Sequence, residues 1–243
     1  MNNFSSHYVC LPHRGLITIS GADARSFLQN IVSNDIDLLK THPFIHACLL
    51  TPQGKFLHDF YVTKSDGKFI LDCEGAERTQ DLVKRLSLYK LRANITMTAE
   101  DNVTIYATAS TRSTNKPDTQ EISFTQWDKT RIENASPDGS RDAEIGISTL
   151  AELNLDETAV SYTKGCYIGQ ELVARMHNRN LGKKHLVAAR FLTTPPSSGS
   201  EIENTGIMRS SCANVGLILM NREREAELKG QQNNDSEIYI LGL

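Results

Sequence analysis

Few of the features that announce a chemistry are present in this chain. Its five cysteines (Cys10, Cys48, Cys73, Cys166 and Cys212) are odd in number and widely spaced, with no Cys-x-x-Cys pair and no Cys/His cluster. That spacing argues against structural zinc and against a cluster held by this chain alone, so no metal site is expected, and it points to free thiols in a reducing cytoplasm. No apolar run approaches the length of a membrane span, and residues 1–12 lack a charged start followed by an apolar stretch, so neither anchoring nor export is expected. There is no Ser/His/Asp arrangement, no phosphate-binding loop and no RNA-binding motif, so direct nucleic-acid binding is not expected either. Only one tryptophan, Trp127, occurs, and packing at a core or rim is its first reading ahead of ligand stacking.

What is present is ordinary globular composition. Hydrophobic residues make up 39% and charged residues 23% of 243 positions, which disfavours disorder and allows more than one subdomain. A net charge of -3 excludes a protein coated in cations, but charge is segregated locally. Lys164 to Arg190 holds six basic residues against the single acid Glu171, whereas Asp142 to Glu157 holds five acids. The basic segment reads equally as a solvated helix face or as a weak anion site.

The pattern along the chain predicts an α+β first domain. A strand over Gly15–Ser20 feeds a helix with Phe27, Leu28, Ile31 and Val32 at helical spacing and Asp23 as its cap. Phe44–Thr51 and Phe56–Thr63 read as strands around the turn Pro52–Lys55, and Asp66-Gly67 signals a hairpin into Phe69–Cys73. Gly75–Arg92 is an amphipathic helix with Leu82, Val83, Leu86 and Tyr89 on one face. Separate strands are expected from Leu91 to Met97 and over Val103–Thr108. Ser110–Glu121 is expected to be loop, Ile122–Trp127 a strand, and Arg222–Glu227 a solvated connection. His177 and His185 read as surface residues. Short strands over Leu186–Leu192, Asn214–Met220 and Glu237–Leu241 predict a small all-β end. The expected domains are 1–110, 111–184 and 185–243.

The stretch that organises the rest is Lys164-Gly165-Cys166-Tyr167-Ile168-Gly169-Gln170-Glu171. Two glycines flank a thiol on a turn that opens into a helix through Leu172, Val173 and Met176. From spacing alone this is a glycine turn with a half-buried cysteine. The helix start and Lys164 would favour a thiolate there, making Cys166 the reactive cysteine of the five. Glu171 and Arg175 stand four apart, in the favourable orientation for a helix pair.

This octapeptide resembles the signature of the YgfZ family, relatives of the aminomethyltransferase of the glycine cleavage system. The resemblance extends to Phe27-Leu28-Gln29 with Ser33-Asn34-Asp35, to Leu50–Lys55 with Asp59-Phe60, to Tyr89-Lys90-Leu91-Arg92, and to Glu152 with Asn154-Leu155-Asp156. It implies an aminomethyltransferase-like folate-binding fold with antiparallel sheets and helices around a central cleft, plus a small C-terminal β-barrel-like domain. The implied ligand is tetrahydrofolate or a one-carbon derivative. Implied contacts are Glu144 on the pterin amino-pyrimidine edge, Asp59 near the reactive folate nitrogen, Asn34 in the cleft, and Tyr167 over the ring. Gln170, Glu171 and Arg175 complete the set, with Cys166 and Lys164 as the functional thiol and its neighbour.

By resemblance the function is that of a monomeric, cytoplasmic accessory protein serving assembly or repair of iron-sulfur enzymes, tRNA methylthiolation among them. It is a binding factor more than an enzyme with turnover, and its partners are iron-sulfur clients or assembly proteins. The alternative is a folate-dependent aminomethyl or methyl transferase. Against that alternative, His58 stands where the aminomethyltransferases have the first of two adjacent acids. Other departures are Asp142 where the family has Arg, with Arg141 one place early, Leu150 for a proline, and Arg14 for a tryptophan of some relatives.

Overall fold

The central strand of the first sheet is longer than its apolar core suggests. In the computed structural model, which describes residues 7–179, 181–231 and 236–242, β1 runs over His7–Ser20. It is followed by α1 (Ala24–Ile31), a single 3-10 turn over Ile36–Lys40, and β2 (Ile45–Leu50), β3 (Phe56–Ser65) and β4 (Lys68–Glu74). Asp66 and Gly67 both take positive φ, 49° and 75°, which is the backbone an Asp-Gly hairpin requires. Then come α2 (Glu77–Lys90), β5 (Thr96–Ala107), β6 (Arg112–Ser113) and β7 (Gln120–Ile122).

The two strands expected between Leu91 and Thr108 are therefore one. β5 pairs antiparallel with β1 from Val9↔Ala107 to Ser20↔Thr96, with register shifts around Arg14. The polar interruption Glu100-Asp101-Asn102 that splits the sequence pattern is a bulge. His13 and Asn102 both adopt positive φ there, and their side chains meet at 2.5 Å. The sheet order is β2-β3-β4-β1-β5-β6, with β7 parallel to β1.

One face of this sheet is covered by helices. α1 buries Phe27, Leu28 and Ile31, α2 buries Leu82 and Leu86, and each such side chain contributes about 1.5–3 kcal/mol. Asp23 does not cap α1 with its side chain; its carboxylate instead accepts the backbone N–H of Asn94 at 2.7 Å. Along β3, Phe60 and Val62 are buried while Asp59, Tyr61 and Thr63 on the opposite face are only half-buried. That opposite face carries the candidate site.

The chain divides into two compact units by its contacts. The first comprises the described part of Met1–Pro52 with Leu57–Phe124 and Ala159–Gln170; the second comprises Gln53–Phe56, Thr125–Thr158 and the described part of Glu171–Leu243. Residues 122–127 form no strand beyond Ile122: α3 spans Phe124–Glu133. Its buried Arg131 bridges Asp128 at 2.7 Å and Asp142 at 2.8 Å, a network the sequence pattern does not reveal. Trp127 is half-buried, with the Arg131 guanidinium 6.0 Å from its ring, so it packs as expected.

α4 (Gln170–Arg179) precedes β8 (Lys184–Phe191), β9 (Glu201–Ile202), β10 (Gly206–Cys212), β11 (Val215–Asn221), α5 (Arg222–Gln231) and β12 (Ile238–Ile240). These strands form a five-stranded antiparallel sheet, order β12-β8-β11-β10-β9, around Phe191, Met208, Ile218 and Met220. The charge run expected as a connection is α5, a helix that buries no residue. His185 is not a free surface residue: its ring meets Glu225 at 2.7 Å. Among the described residues no helix is long and apolar enough to cross a membrane.

Candidate functional site

The signature loop closes the first unit. Gly169 takes φ 81°, the left-handed backbone that a residue without a Cβ enters freely, whereas Gly165 is not in that region and a Cβ there would meet nothing within 4 Å. Only one of the two glycines is thus required by the turn. Cys166 is exposed, in contrast to the half-buried position expected from spacing, and it lies four residues before the first residue of α4. Cys48 and Cys73 are buried; burial raises both thiols, Cys73 to about 12.

Lys164 turns inward. Its Nζ donates to the carbonyls of Val32 at 2.7 Å and Asn34 at 2.9 Å, and it sits 5.1 Å from the ring centroid of buried Tyr167. Burial lowers its pKa to about 8, with Asp35 pulling weakly the other way. The Lys164 ammonium is therefore committed to the segment after α1, and Tyr167 packs beneath it. Burial also raises the Tyr167 hydroxyl above its ordinary range.

From that anchor a chain of polar contacts leads to the sheet. Asn34 builds the turn after α1, its Oδ1 accepting the Asp35 N–H at 2.8 Å, and its Nδ2 donates to the His46 carbonyl at 2.8 Å. His46 in turn meets the Asp59 carboxylate at 2.9 Å through Nε2. Burial alone would raise the Asp59 pKa, but the His46 contact and the nearby Arg14 charge outweigh it and hold the group below its ordinary value. Asp59 is thus a carboxylate, and His46 donates to it.

His58 does not take part. It lies on the other face of β3, 2% exposed at its side chain, and pairs with Asp81 of α2 at 2.8 Å. Strand alternation separates it from Asp59, so its identity bears on helix packing and not on the chemistry at Asp59.

Beside Asp59 on its face, Tyr61 is layered between two groups. The His46 ring stacks at 4.5 Å and 10°, and the Arg112 guanidinium lies 3.9 Å from the Tyr61 centroid. Tyr61 stands opposite Asp72, whose carboxylate bridges Arg14 at 2.7 Å and Arg112 at 2.6 Å. A cavity of about 450 Å³ opens against Asp72, Arg112, Thr63 and Lys64 over a floor of Leu16, Ile70 and Ile105. His46, Tyr61, Asp72 and Arg112 were missed by sequence reasoning. Register with Asp59 was the one available signal, since Tyr61 is two residues along the same strand.

The remaining candidates belong to the second unit or to its border. Glu144 is partly exposed and accepts a hydrogen bond from Arg209 of β10, while its own N–H bonds to Ser148. Arg209 is itself a residue the sequence did not single out, and its buried Nε has no hydrogen-bond partner. Asp142 is fully committed to Arg131 and to the N–H groups of Ser210 and Asp138. Gln170 bonds through its N–H to the Tyr167 carbonyl, closing the turn; Glu171 and Arg175 are both exposed on α4, with no ion pair between them. Glu152 and Asn154 act as turn builders. Glu152 and Thr149 exchange side-chain to backbone bonds as a capping box, and Asn154, at φ 55°, ties Ala135 to Leu186.

Two sheets flanked by helices, with an acid-bearing sheet face and a thiol loop beside it, define a protein of the glycine-cleavage aminomethyltransferase fold. The solved aminomethyltransferase T of the glycine cleavage system from Bartonella henselae superposes with a TM-score of 0.70, covering 98% of this chain and 82% of that one, at 14% identity. No family model matches the chain. Among curated proteins it is 28% identical over 275 residues to the mitochondrial iron-sulfur cluster assembly factor IBA57 of Homo sapiens, covering 88% of this chain and 77% of the relative. It is 27% identical over 242 residues to the mitochondrial IBA57 homolog of Mycosarcoma maydis, covering 79% of this chain but only 60% of that relative's length. The chain is thus similar in sequence to these iron-sulfur assembly factors and shares the fold of the aminomethyltransferase, in keeping with the YgfZ-type resemblance of its signature.

Proposed function

We propose that this protein is a tetrahydrofolate-binding accessory factor for iron-sulfur enzyme assembly or repair, with enzymes of tRNA methylthiolation among its clients. One observation carries the reading. The exposed Cys166 sits on a loop whose Lys164 is bonded to Asn34, which is bonded to His46, which holds Asp59. A thiol loop and an acid-bearing sheet face are joined by a continuous polar chain, so a ligand at Asp59 and a partner at Cys166 can sense one another. The donor set suits a pterin. A carboxylate accepts from paired N–H groups of an amino-pyrimidine, Tyr61 supplies an aromatic edge, and the arginines favour the glutamate tail. Glu144, in the second unit, is the carboxylate that the sequence resemblance implies for a pterin edge.

Folate would supply a one-carbon carrier or an allosteric signal. The protein's own residues bind and orient it. Among the described residues no group of three or more His, Cys, Asp and Glu could hold a metal ion, so a cluster touching Cys166 would take its remaining ligands from a partner chain. The compartment proposed is a reducing one, the cytoplasm by the sequence reading.

Calorimetric titration of the reduced protein with tetrahydrofolate, alongside Asp59→Asn and Glu144→Ala, tests the ligand. Saturable binding weakened by either variant supports it, and absence of binding to wild type overturns it. Complementation of a strain lacking the protein tests the thiol: Cys166→Ala is expected to fail, and full rescue would reduce Cys166 to a structural residue.

A further inference from the structure

Between Asp81 and Glu100 the chain carries Lys84, Arg85, Lys90 and Arg92 and no acid. The last part of this stretch, the turn after α2, forms one wall of a groove of about 440 Å³ whose other walls are α1 and Ile168 of the signature loop. Phe27, Ile31 and Ile168 give the groove an apolar floor, and Lys90 and Arg92 stand on its rim. Asp23 is the acid of the lining, and its carboxylate is already bonded to the Asn94 N–H. The rim is therefore positive.

Leu91 at the lip is the most unusual residue. It is 88% exposed, and its φ of 42° lies in the left-handed region that an L-residue with a branched side chain enters only at a cost. Leu88, two residues before the end of α2, is 69% exposed. An exposed leucine at the lip of an apolar cleft, beside cations that form no ion pair among the described residues, marks a surface built to be covered.

We propose that this groove docks an acidic peptide segment of a partner protein. One bulky apolar side chain of that segment seats on Phe27, Ile31 and Leu91, and its carboxylates face Lys90 and Arg92. Because Ile168 is two residues from Cys166, the docked partner is delivered beside the exposed thiol. The docking stands on the groove alone; its meaning for Cys166 rests on the function proposed above.

The test is to pan a displayed random-peptide library on the folded protein and measure the enriched peptides by fluorescence anisotropy. Enriched peptides are expected to combine Asp or Glu with a bulky apolar residue. Leu91→Asp, and separately the double variant Lys90→Glu with Arg92→Glu, should each weaken them by roughly 30-fold, the loss typical of an interface anchor. Peptides with Lys in place of their acids should regain binding to the charge-reversed variant. All variants are at exposed positions or the rim and should melt and titrate with tetrahydrofolate like wild type. Peptides without acid enrichment, peptides that bind the variants as well as wild type, or groove-dependent binding of a single-stranded RNA oligonucleotide in their place would overturn the proposal. If tetrahydrofolate fails to bind wild type while the peptides behave as expected, the folate reading falls and the docking surface stands.

Discussion

Lys164→Met separates what the buried ammonium does for the loop from what it does for stability. In wild type the amine has a pKa of about 8 in place of the ordinary 10.5. Below pH 8 both folded and unfolded chains carry the proton, and the fold bears the full cost of burying the charge. As pH rises from 8 towards 10.5 the folded chain releases its proton first, so the unfolded state binds more protons and wild-type stability climbs relative to the variant. At about 1.4 kcal/mol per pH unit, that gap amounts to about 3 kcal/mol. At pH 7 methionine relieves a similar cost while removing two charge-assisted bonds to buried carbonyls, so the net change there should stay within about 2 kcal/mol. The assay is guanidinium denaturation of both proteins at pH 7, 8, 9 and 10, read as the difference between them so that the titration of every other group cancels. A difference that stays flat, or falls, across this range would refute the account. The loop itself should respond differently: hydrogen exchange over residues 161–169 should quicken in the variant even where global stability is unchanged.

Other consequences follow from the same geometry. Under native conditions a thiol reagent should modify Cys166 first and leave Cys48 and Cys73 unmodified until unfolding, and Cys166→Ser should abolish the fast phase. Asp72→Asn leaves Arg14 and Arg112 facing each other without their shared carboxylate and should cost about 3–5 kcal/mol in a denaturation experiment. His58, lowered by burial to about 4, stays neutral in the fold while the unfolded chain takes up a proton near pH 6.5. Stability should therefore fall as pH drops from about 6.5 to 4, by up to about 3 kcal/mol, and His58→Leu should flatten that acid limb in a pH series of melts.

Much of the first unit was legible because local patterns and tertiary packing agree there. Phe27, Leu28 and Ile31 repeat at the helical period and are buried, and Asp66-Gly67 is a hairpin turn with the positive φ its composition demands. The errors have particular causes. A bulge at Asn102 places polar residues inside β5, and alternation reads the interruption as a strand end. α5 has no apolar face, so no period could announce it. α3 begins at Phe124 directly after the short strand β7, and the apolar residues of the two merge into one apparent strand. Asp59 was legible as a carboxylate in an apolar strand, and its resemblance to aminomethyltransferases gave it a role. The Lys164 clip was not legible, because its acceptors are main-chain carbonyls 130 and 132 residues away, and carbonyls carry no sequence signal. The pairing of His58 with Asp81 was not legible either, since it needs the parity of β3 and the packing of α2 on that face.

The way the two units share the chain has a consequence for biosynthesis. The first unit takes its last piece, Ala159–Gln170, only after the chain has left it at Phe124 and supplied Thr125–Thr158 to the second. Nascent protein emerging from the ribosome therefore cannot finish its N-terminal body until the thiol loop has cleared the exit tunnel. A stalled or truncated product ending before residue 159 would leave Ser33 without the Ala159 carbonyl it bonds and the carbonyls of Val32 and Asn34 without the lysine that binds them. Quality control would meet such a product as an unfinished domain, and a chain with a completed first body would by construction already carry Cys166.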